Sequence, residues 1–411
     1  MTKPEDNDDS LDESRVEYST EVIAKLEHQS QRSFDIMHSR DEAGSVIDRP
    51  PDPNATIVMR TDERTRHPRP VQNRRPESAR LGKYDDRGLI AKGAMGEVRR
   101  VFDPRFRRTL AMKIIHRDLL RYSDAIARFV EEAQACAQLE HSGIVPVHDV
   151  GQLPDGRYFY TMKEVRGRDL GHVVAKVHTA SRHGVWRAEE TGWTFRRLVR
   201  AFETISLSMA FAHSKGVIHR DLKPGNVMLG AYQEVLIVDW GLVKVIGEVD
   251  SAEDFRSSSV LTDRSQDNAM ATRVGDVAGT PAYMSPEQAE GRSPEIDHRS
   301  DIYALGAILY HILCNRAPFN GSGPDVVKQV ATLDPVPVQI SKAVRRRPDL
   351  LERYKESGDM SLFETLRPEG VPLPETLCMI CSKCMERDPD LRYQTAEDLA
   401  EDVAGWLYDT R

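Results

Sequence analysis

Cysteine is scarce. Five residues in a chain of 411, an odd set, give no disulfide framework, so a reducing compartment is the default. Long apolar runs are missing too: the longest, "YALGAILYHILC" (Tyr303 to Cys314), is well short of the roughly 18 to 20 residues that cross a bilayer. The acidic start "MTKPEDNDDSLDES" lacks the basic and apolar regions of a signal peptide. An excess of positive charge is absent as well. The net charge of −8 argues against the whole chain being a nucleic-acid binder, although local patches could hold polyanions. These absences describe a cytoplasmic protein with no membrane span and no nucleic-acid partner. What is present is a 39% hydrophobic content, enough for a sizeable core in two or three domains.

Composition divides the chain. Met1 to Asp48 carries 13 acidic against 5 basic side chains and few strong apolar residues, which predicts disorder. One stretch, "TEVIAKLEHQSQRSFDIM", could align Val22, Leu26, Phe34 and Met37 on a transient helix. From Arg49 to Lys83 the sign reverses, with 9 basic and 4 acidic residues and six prolines, a linker composition. After Lys83 short β-type runs appear, "GLIAKG", "GEVRRVFD", "TLAMKII" and "YFYTMKEV". Between them "DAIARFVEEAQACAQLEH" has helical spacing, with Ile126, Phe129, Val130, Ala133 and Ala137 on one side. Beyond Gly167 the runs are long and helical: "FRRLVRAFETISLSMAFAHSKG", "DIYALGAILYHILCN" and "ETLCMICSKCMERD". The architecture read from this is a small β-rich unit followed by a larger helical one.

Four features carry chemistry. In "IAKGAMGEV", Gly93 and Gly96 lie between β-type segments, where glycine lets backbone N–H groups approach phosphate oxygens; a tight hairpin would need glycine too. Lys113, in the apolar run "LAMK", needs an anion if its ammonium is buried. Glu132 on the next helix or a bound phosphate would serve, and a lysine snorkelling to solvent is the alternative. In "VIHRDLKPGNVMLG" and "VLIVDWGLVKV", Asn226 and Asp239 offer hard oxygen ligands suited to Mg2+. Asp221 is then free to orient a hydroxyl and accept its proton, and Lys223 to neutralise a migrating phosphoryl group. That set suits phosphoryl transfer, which asks for positioning, metal and positive charge.

Together these residues match the protein-kinase signature set, and the chain from about Lys83 to Arg411 resembles the eukaryotic-like serine/threonine protein kinases of bacteria. The resemblance implies an α+β, bilobal kinase fold. Residues 83–165 would form a small β-rich lobe with one main helix plus the hinge, and residues 166–411 a larger, mainly helical lobe, after a largely disordered region 1–82. It implies ATP and Mg2+ as cofactors. Lys113 would contact the α/β-phosphates and pair with Glu132, Asp221 would be the base beside Lys223, and Asn226 and Asp239 would hold the metal. Ile90, Ala91, Gly93, Gly96, Val98 and Ala111 would surround the nucleotide, with Met162 as gatekeeper and a hinge of Lys163, Glu164 and Val165. "GTPAYMSPE" (Gly279 to Glu287) resembles the end of an activation segment, with Thr280 near the substrate. Asp301 would brace the catalytic loop and Arg392 pair with Glu287. Substrates would be proteins bearing Ser or Thr, and a transient dimer would serve autophosphorylation. A partner-binding pseudokinase, a small-molecule kinase and a protein centred on its N-terminal region are the competing readings.

The match has departures. Ala91 stands at the first loop glycine, Trp240 replaces the phenylalanine of the metal-binding triplet, and Ser285 replaces an alanine; none removes a catalytic atom. The segment from Asp239 to Glu287 is long and holds Ser251, Ser257, Ser258, Ser259, Thr262, Ser265 and Thr272, any of which, phosphorylated, could pair with Arg220. Cys378, Cys381 and Cys384 fall at i, i+3, i+6 on a helix and read as core residues rather than zinc ligands. The basic insert "KVHTASRHGVWRAEETGWTFRR" (Lys176 to Arg197) reads as a solvated excursion between helices rather than a dock for an acidic partner.

Overall fold

Turn-forming residues cut the first part of the fold into strands, and six of them join in one antiparallel sheet. They are β1 (Arg80–Leu81), β2 (Tyr84–Lys92), β3 (Gly96–Asp103), β4 (Arg108–Ile115), β5 (Val147–Gln152) and β6 (Tyr158–Lys163), in the order β1-β2-β3-β4-β6-β5. The computed structural model describes residues 80–181, 185–240, 244–245, 280–338 and 373–409. The expected disorder and transient helix of the N-terminal region, and the seven hydroxyl residues between Ser251 and Thr272, lie outside the described residues. The sheet starts ahead of Lys83, because Arg80 pairs with Asp85 and Leu81 with Tyr84.

Strand alternation sorts the small-lobe core into two faces. Leu110, Met112 and Ile114 of β4 pack with Tyr84, Val101, Leu153 and Phe159. Its other face presents Ala111 beside Ala91 and Val98, and Ile115 beside Phe129, Ala133 and Tyr160. Phe129 and Ala133 belong to α1 (Ser123–Gln138). The apolar spacing put Ala137 on the packed side of this helix, yet Ala137 is exposed while Glu132 and Cys136 are buried. The helix is rolled so that a carboxylate enters the core, and the next section identifies what receives it.

The larger lobe begins with β7 (Gly167–Asp169), which joins β9 (Val227–Gly230) and β10 (Val235–Ile237) in a three-stranded sheet. Asp169 caps α2 (Leu170–Ala180) by accepting the His172 N–H at 2.9 Å. Then follow α3 (Phe195–Ser214), β8 (Val217–Ile218), β11 (Lys244–Val245), α4 (Pro286–Ala289), α5 (His298–Cys314), α6 (Gly323–Thr332), α7 (Glu375–Cys384) and α8 (Ala396–Asp409). Helix α5 is apolar nearly all round, the mark of a helix inside a core, and it is buried along almost its whole length. Cys378, Cys381 and Cys384 pack in that same core, and all five cysteines are free and buried. Among the described residues no group of His, Cys, Asp or Glu is arranged to hold a metal alone, and no helix is long and apolar enough to cross a membrane.

Candidate active site

The carboxylate that α1 turns inward meets Lys113. Its ammonium donates to both oxygens of Glu132, at 2.7 and 2.9 Å, and to Asp239 Oδ1 at 2.7 Å. The Tyr160 hydroxyl donates to Glu132 Oε1 at 2.7 Å. Burial alone would depress the Lys113 pKa, but the two carboxylates outweigh it and hold the ammonium charged above its ordinary value. For Asp239, burial pulls upward and Lys113 prevails, taking the carboxyl down to about 2. Fully buried Glu132 moves upward, through desolvation and the nearby negative charge of Asp239. One cation thus faces two carboxylates, and the cluster keeps a net negative charge.

The catalytic loop is built from the α5 side. Asp301, in the first turn of α5, accepts the backbone N–H groups of His219 at 2.8 Å and Arg220 at 2.9 Å, and the His213 ring N–H at 2.9 Å. Arg220 sits at φ 67° and Asp239 at φ 62°. Left-handed geometry is unfavourable for residues with a Cβ and persists where the surroundings over-determine it; here buried Asp301 grips Arg220 and Lys113 grips Asp239. Burial holds the pKa of the His219 ring below its ordinary value; the ring accepts the Asp221 N–H on Nδ1 at 3.3 Å and lies against the Trp240 ring at 4.7 Å. Trp240 itself is completely buried.

Asp221 is thereby aimed at a small polar cluster. Its Oδ1 accepts the Thr280 N–H at 2.7 Å and its Oδ2 accepts Lys223 Nζ at 2.8 Å. Lys223 also donates to Thr280 Oγ1 at 2.6 Å. Asn226 donates Nδ2 to the Asp221 carbonyl oxygen at 2.9 Å, which leaves its own Oδ1 as an acceptor. Behind Thr280, Ser285 opens α4 with a capping box shared with Gln288, and Gln288 Nε2 donates to the Arg220 carbonyl at 2.8 Å. Glu287 forms a bidentate pair with Arg392, both contacts at 2.9 Å.

A cavity of about 600 Å³ lies between the sheet and the three-stranded layer, with Lys113 and Asp239 on its wall. Ile90, Ala91, Val98, Ala111, Met162, Lys163, Glu164 and Val165 line it. Ala91 packs with Val98, Ala111 and Met162, so the methyl that replaces the first loop glycine belongs to the apolar wall. Gly93 and Gly96 are not on the lining. A Cβ at Gly96 would sit 2.2 Å from the Ile114 carbonyl oxygen, so strand approach alone requires that glycine. The turn between β2 and β3 is folded onto His116, whose ring lies 2.8 Å from the Gly93 carbonyl and whose N–H donates to Met95 O at 3.0 Å.

A family model described as the protein kinase domain matches residues 84–403, more than half the chain. The chain belongs to that family. Among curated relatives, this kinase domain is 36% identical over 318 residues to the serine/threonine-protein kinase PknD of Protochlamydia amoebophila, covering 77% of this chain and 29% of that one. It is 35% identical over 272 residues to the serine/threonine-protein kinase pkn3 of Myxococcus xanthus, covering 65% and 43%. It is 30% identical over 325 residues to PknB of Mycobacterium tuberculosis, covering 78% and 42%. The chain therefore matches less than half the length of each of these relatives. Among solved structures, a single-residue mutant of the PknI kinase domain of Mycobacterium tuberculosis aligns with a TM-score of 0.51 at 21% identity over 80% of this chain and 98% of that one, a likeness of fold. These findings agree with the bacterial eukaryotic-like serine/threonine kinase resemblance and with the bilobal α+β fold.

Sequence reasoning missed several residues of the kinase domain's cavity. Tyr160 and Met228 line it; they lie within "YFYTMKEV" and "VIHRDLKPGNVMLG", where only the neighbouring residues were assigned roles. Thr191 and Trp193 line it as well, which corrects the reading of the Lys176–Arg197 insert as a solvated excursion. Trp193 is buried, and the Trp186 ring stacks on Phe195 at 4.0 Å while Phe195 meets Trp406 edge-on at 6.0 Å. Aromatic burial outweighed the basic composition.

Proposed function

We propose that this kinase domain transfers the γ-phosphoryl group of ATP, with Mg2+, to Ser and Thr hydroxyls of proteins in the cytoplasm. The observation that carries the reading is that Lys113 and Asp239 meet on the cavity wall, while Asp221, Lys223, Thr280 and Asn226 form one hydrogen-bonded cluster tied to the Asp239 strand end by the Val238 N–H donating to the Asn226 carbonyl at 2.9 Å. The residues fit a divalent cation: the Asp239 carboxylate and the Asn226 Oδ1 are hard oxygen donors of the kind Mg2+ takes alongside phosphates and water, and the cluster around Lys113 carries uncompensated negative charge. Mg2+, when bound, supplies charge neutralisation at the phosphate oxygens.

The remaining roles fall to the chain. Apolar Ala91, Val98, Ala111 and Met162 enclose the base of the nucleotide, and the backbone of Glu164 and Val165 meets its polar edge. Lys113, kept charged by its two carboxylates, holds the phosphates. Asp221 accepts from Lys223 and Asn226 on Oδ2 and from Thr280 on Oδ1, which leaves a lone pair on Oδ1 to orient an acceptor hydroxyl and take its proton as the new O–P bond forms. Lys223, bridging Asp221 and Thr280, balances charge on the migrating group. The free, buried cysteines suit a reducing compartment.

Incubation with labelled ATP and Mg2+, wild type beside Asp221→Asn, tests this reading. Wild type is expected to label itself within Asp239 to Glu287 on Ser or Thr, and the variant to lose about 10² to 10⁴-fold in rate. Equal labelling of the two proteins would refute the assignment of Asp221.

A further inference from the structure

The turn between β2 and β3 is pinned from both sides. Inside the turn the Gly93 N–H donates to Gly96 O at 2.8 Å, and the His116 N–H, just past the end of β4, donates to Met95 O at 3.0 Å. The His116 ring adds a third tie, with Nε2 2.8 Å from the Gly93 carbonyl oxygen. A carbonyl only accepts, so Nε2 carries the proton. The Met95 side chain packs against the cluster of Ile115, Phe129, Ala133 and Tyr160. Charges reinforce the outer side: Arg157 in the β5–β6 turn pairs with Glu97 at 3.2 Å and with Asp155 at 2.8 Å, and Asp155 takes Arg117 at 3.2 Å. Ion pairs as exposed as these are each worth little, which leaves the His116 ring as the restraint that addresses the turn itself.

Strand alternation gives this restraint a direction. On β4, Lys113 lines the cavity and Ile115 packs toward α1, while Ile114 packs in the cluster on the opposite face. His116 is extended, at φ −65° and ψ 140°, so the alternation carries its ring to the face of Ile114, away from the cavity. The ring therefore draws the Gly93 carbonyl outward. Among the described residues no peptide bond is cis, and in a planar trans peptide the carbonyl and the following N–H point in opposite directions. The Ala94 N–H accordingly faces inward, to the side on which Lys113 stands. It has no acceptor among the described residues, and an open N–H on the side of an ammonium is a group for an anion.

We propose that His116 is a positioning residue for the phosphates of the nucleotide: its ring fixes the Gly93–Ala94 peptide so that the Ala94 N–H is presented to them. This rests on the ATP reading above. His116 touches no ligand itself and acts through Gly93. Neither Gly93 nor Gly96 lines the cavity, so what the turn can offer a phosphate is the direction of an N–H, and that direction is what His116 sets. A free peptide plane would have to be ordered at each binding event, and the ring removes that cost in advance. His116 is only half-buried, which makes its substitution compatible with folding.

The test is calorimetric titration of the full chain, with Mg2+, against adenosine and against the non-hydrolysable β,γ-imido analogue of ATP, for wild type, His116→Phe and His116→Gln. Phenylalanine keeps a ring without the N–H, and glutamine keeps a side-chain N–H donor without the ring. His116→Phe is expected to bind the analogue about five- to tenfold more weakly than wild type, the worth of one hydrogen bond, with adenosine affinity unchanged, and His116→Gln to recover most of the loss. An equal loss for adenosine and the analogue would overturn the proposal, since a contact that merely stabilises the sheet acts on both. Unchanged affinities would overturn it too, as would tighter binding of the analogue by His116→Phe, which would make the contact a latch that holds the turn off the phosphates. Wild type binding neither ligand would instead sink the ATP reading on which the proposal stands.

Discussion

Two buried ion pairs in this chain have nearly the same local chemistry and opposite meanings. Lys113 and Glu132 meet at 2.7 Å with side chains 9% and 0% exposed, and Arg392 and Glu287 meet at 2.9 Å with side chains 0% and 1% exposed. Around Arg392 everything is satisfied: its guanidinium also donates to the carbonyls of Glu386, Arg299 and Arg387, and Ser300 donates to Glu287 at 2.6 Å. The two charges cancel, and neither residue lines the cavity. Around Lys113 a second carboxylate, Asp239, stays 30% exposed on a cavity wall. Burial and pairing do not mark a functional site by themselves; a leftover charge beside an open volume does.

Either pair can be broken to test the distinction. Replacing Lys113 by Met should lower the phosphoryl-transfer rate by about 10² to 10³-fold, the usual effect of deleting one charge from a transition-state cradle. Joint replacement of Lys113 by Met and Glu132 by Leu should cost less stability than Lys113→Met alone, because it removes the buried Glu132 charge together with its partner and strands only Asp239, which is 30% exposed. Arg392→Ala should do the reverse. It strands Glu287 in the core and should cost about 3 to 5 kcal/mol of stability by denaturant unfolding, while the rate per folded molecule stays within a few-fold of wild type. A melting temperature for Arg392→Ala equal to wild type would undo the distinction.

The smallest effect concerns a pair with no net charge. Tyr283, next to the Thr280 turn, has its hydroxyl 2.9 Å from His311 Nδ1 on α5. Burial first, then the nearby charge of His178, push His311 down to about 4. The unfolded chain, with histidine near 6.5, binds this proton more readily than the folded one. Stability from His311 is therefore full above about pH 6.5 and is lost as pH falls toward about 4. Thermal melts of His311→Gln should accordingly decline less than those of wild type across that window.

Much of the fold was legible in the sequence, for reasons that also explain the omissions. Alternation in "TLAMKII" and all-round apolarity in "DIYALGAILYHILC" reflect burial that each segment imposes on itself, so strand β4 and helix α5 could be read locally. The rolled face of α1 could not, because apolar spacing counts Ala137 and ignores Glu132, whose burial depends on Lys113 in a different strand. The insert was misread for the same reason: Trp186 and Phe195 lie near each other in the chain, but the Trp406 that completes their cluster is far along it. Polar side chains with several possible partners behaved similarly. Ser285 looked like a mild replacement until its capping box with Gln288 tied α4 to Arg220, and Gly96 looked like a phosphate residue while strand contact alone demands it.

The uncompensated carboxylate at Asp239 is the feature on which the rest turns, and metal-linked nucleotide binding reads it directly. Calorimetric titration of ADP with and without Mg2+ should show tighter binding with the metal for wild type, and no metal dependence for Asp239→Asn at an unchanged melting temperature. The same Mg2+ dependence in both proteins would contradict the claim that this charge holds the metal.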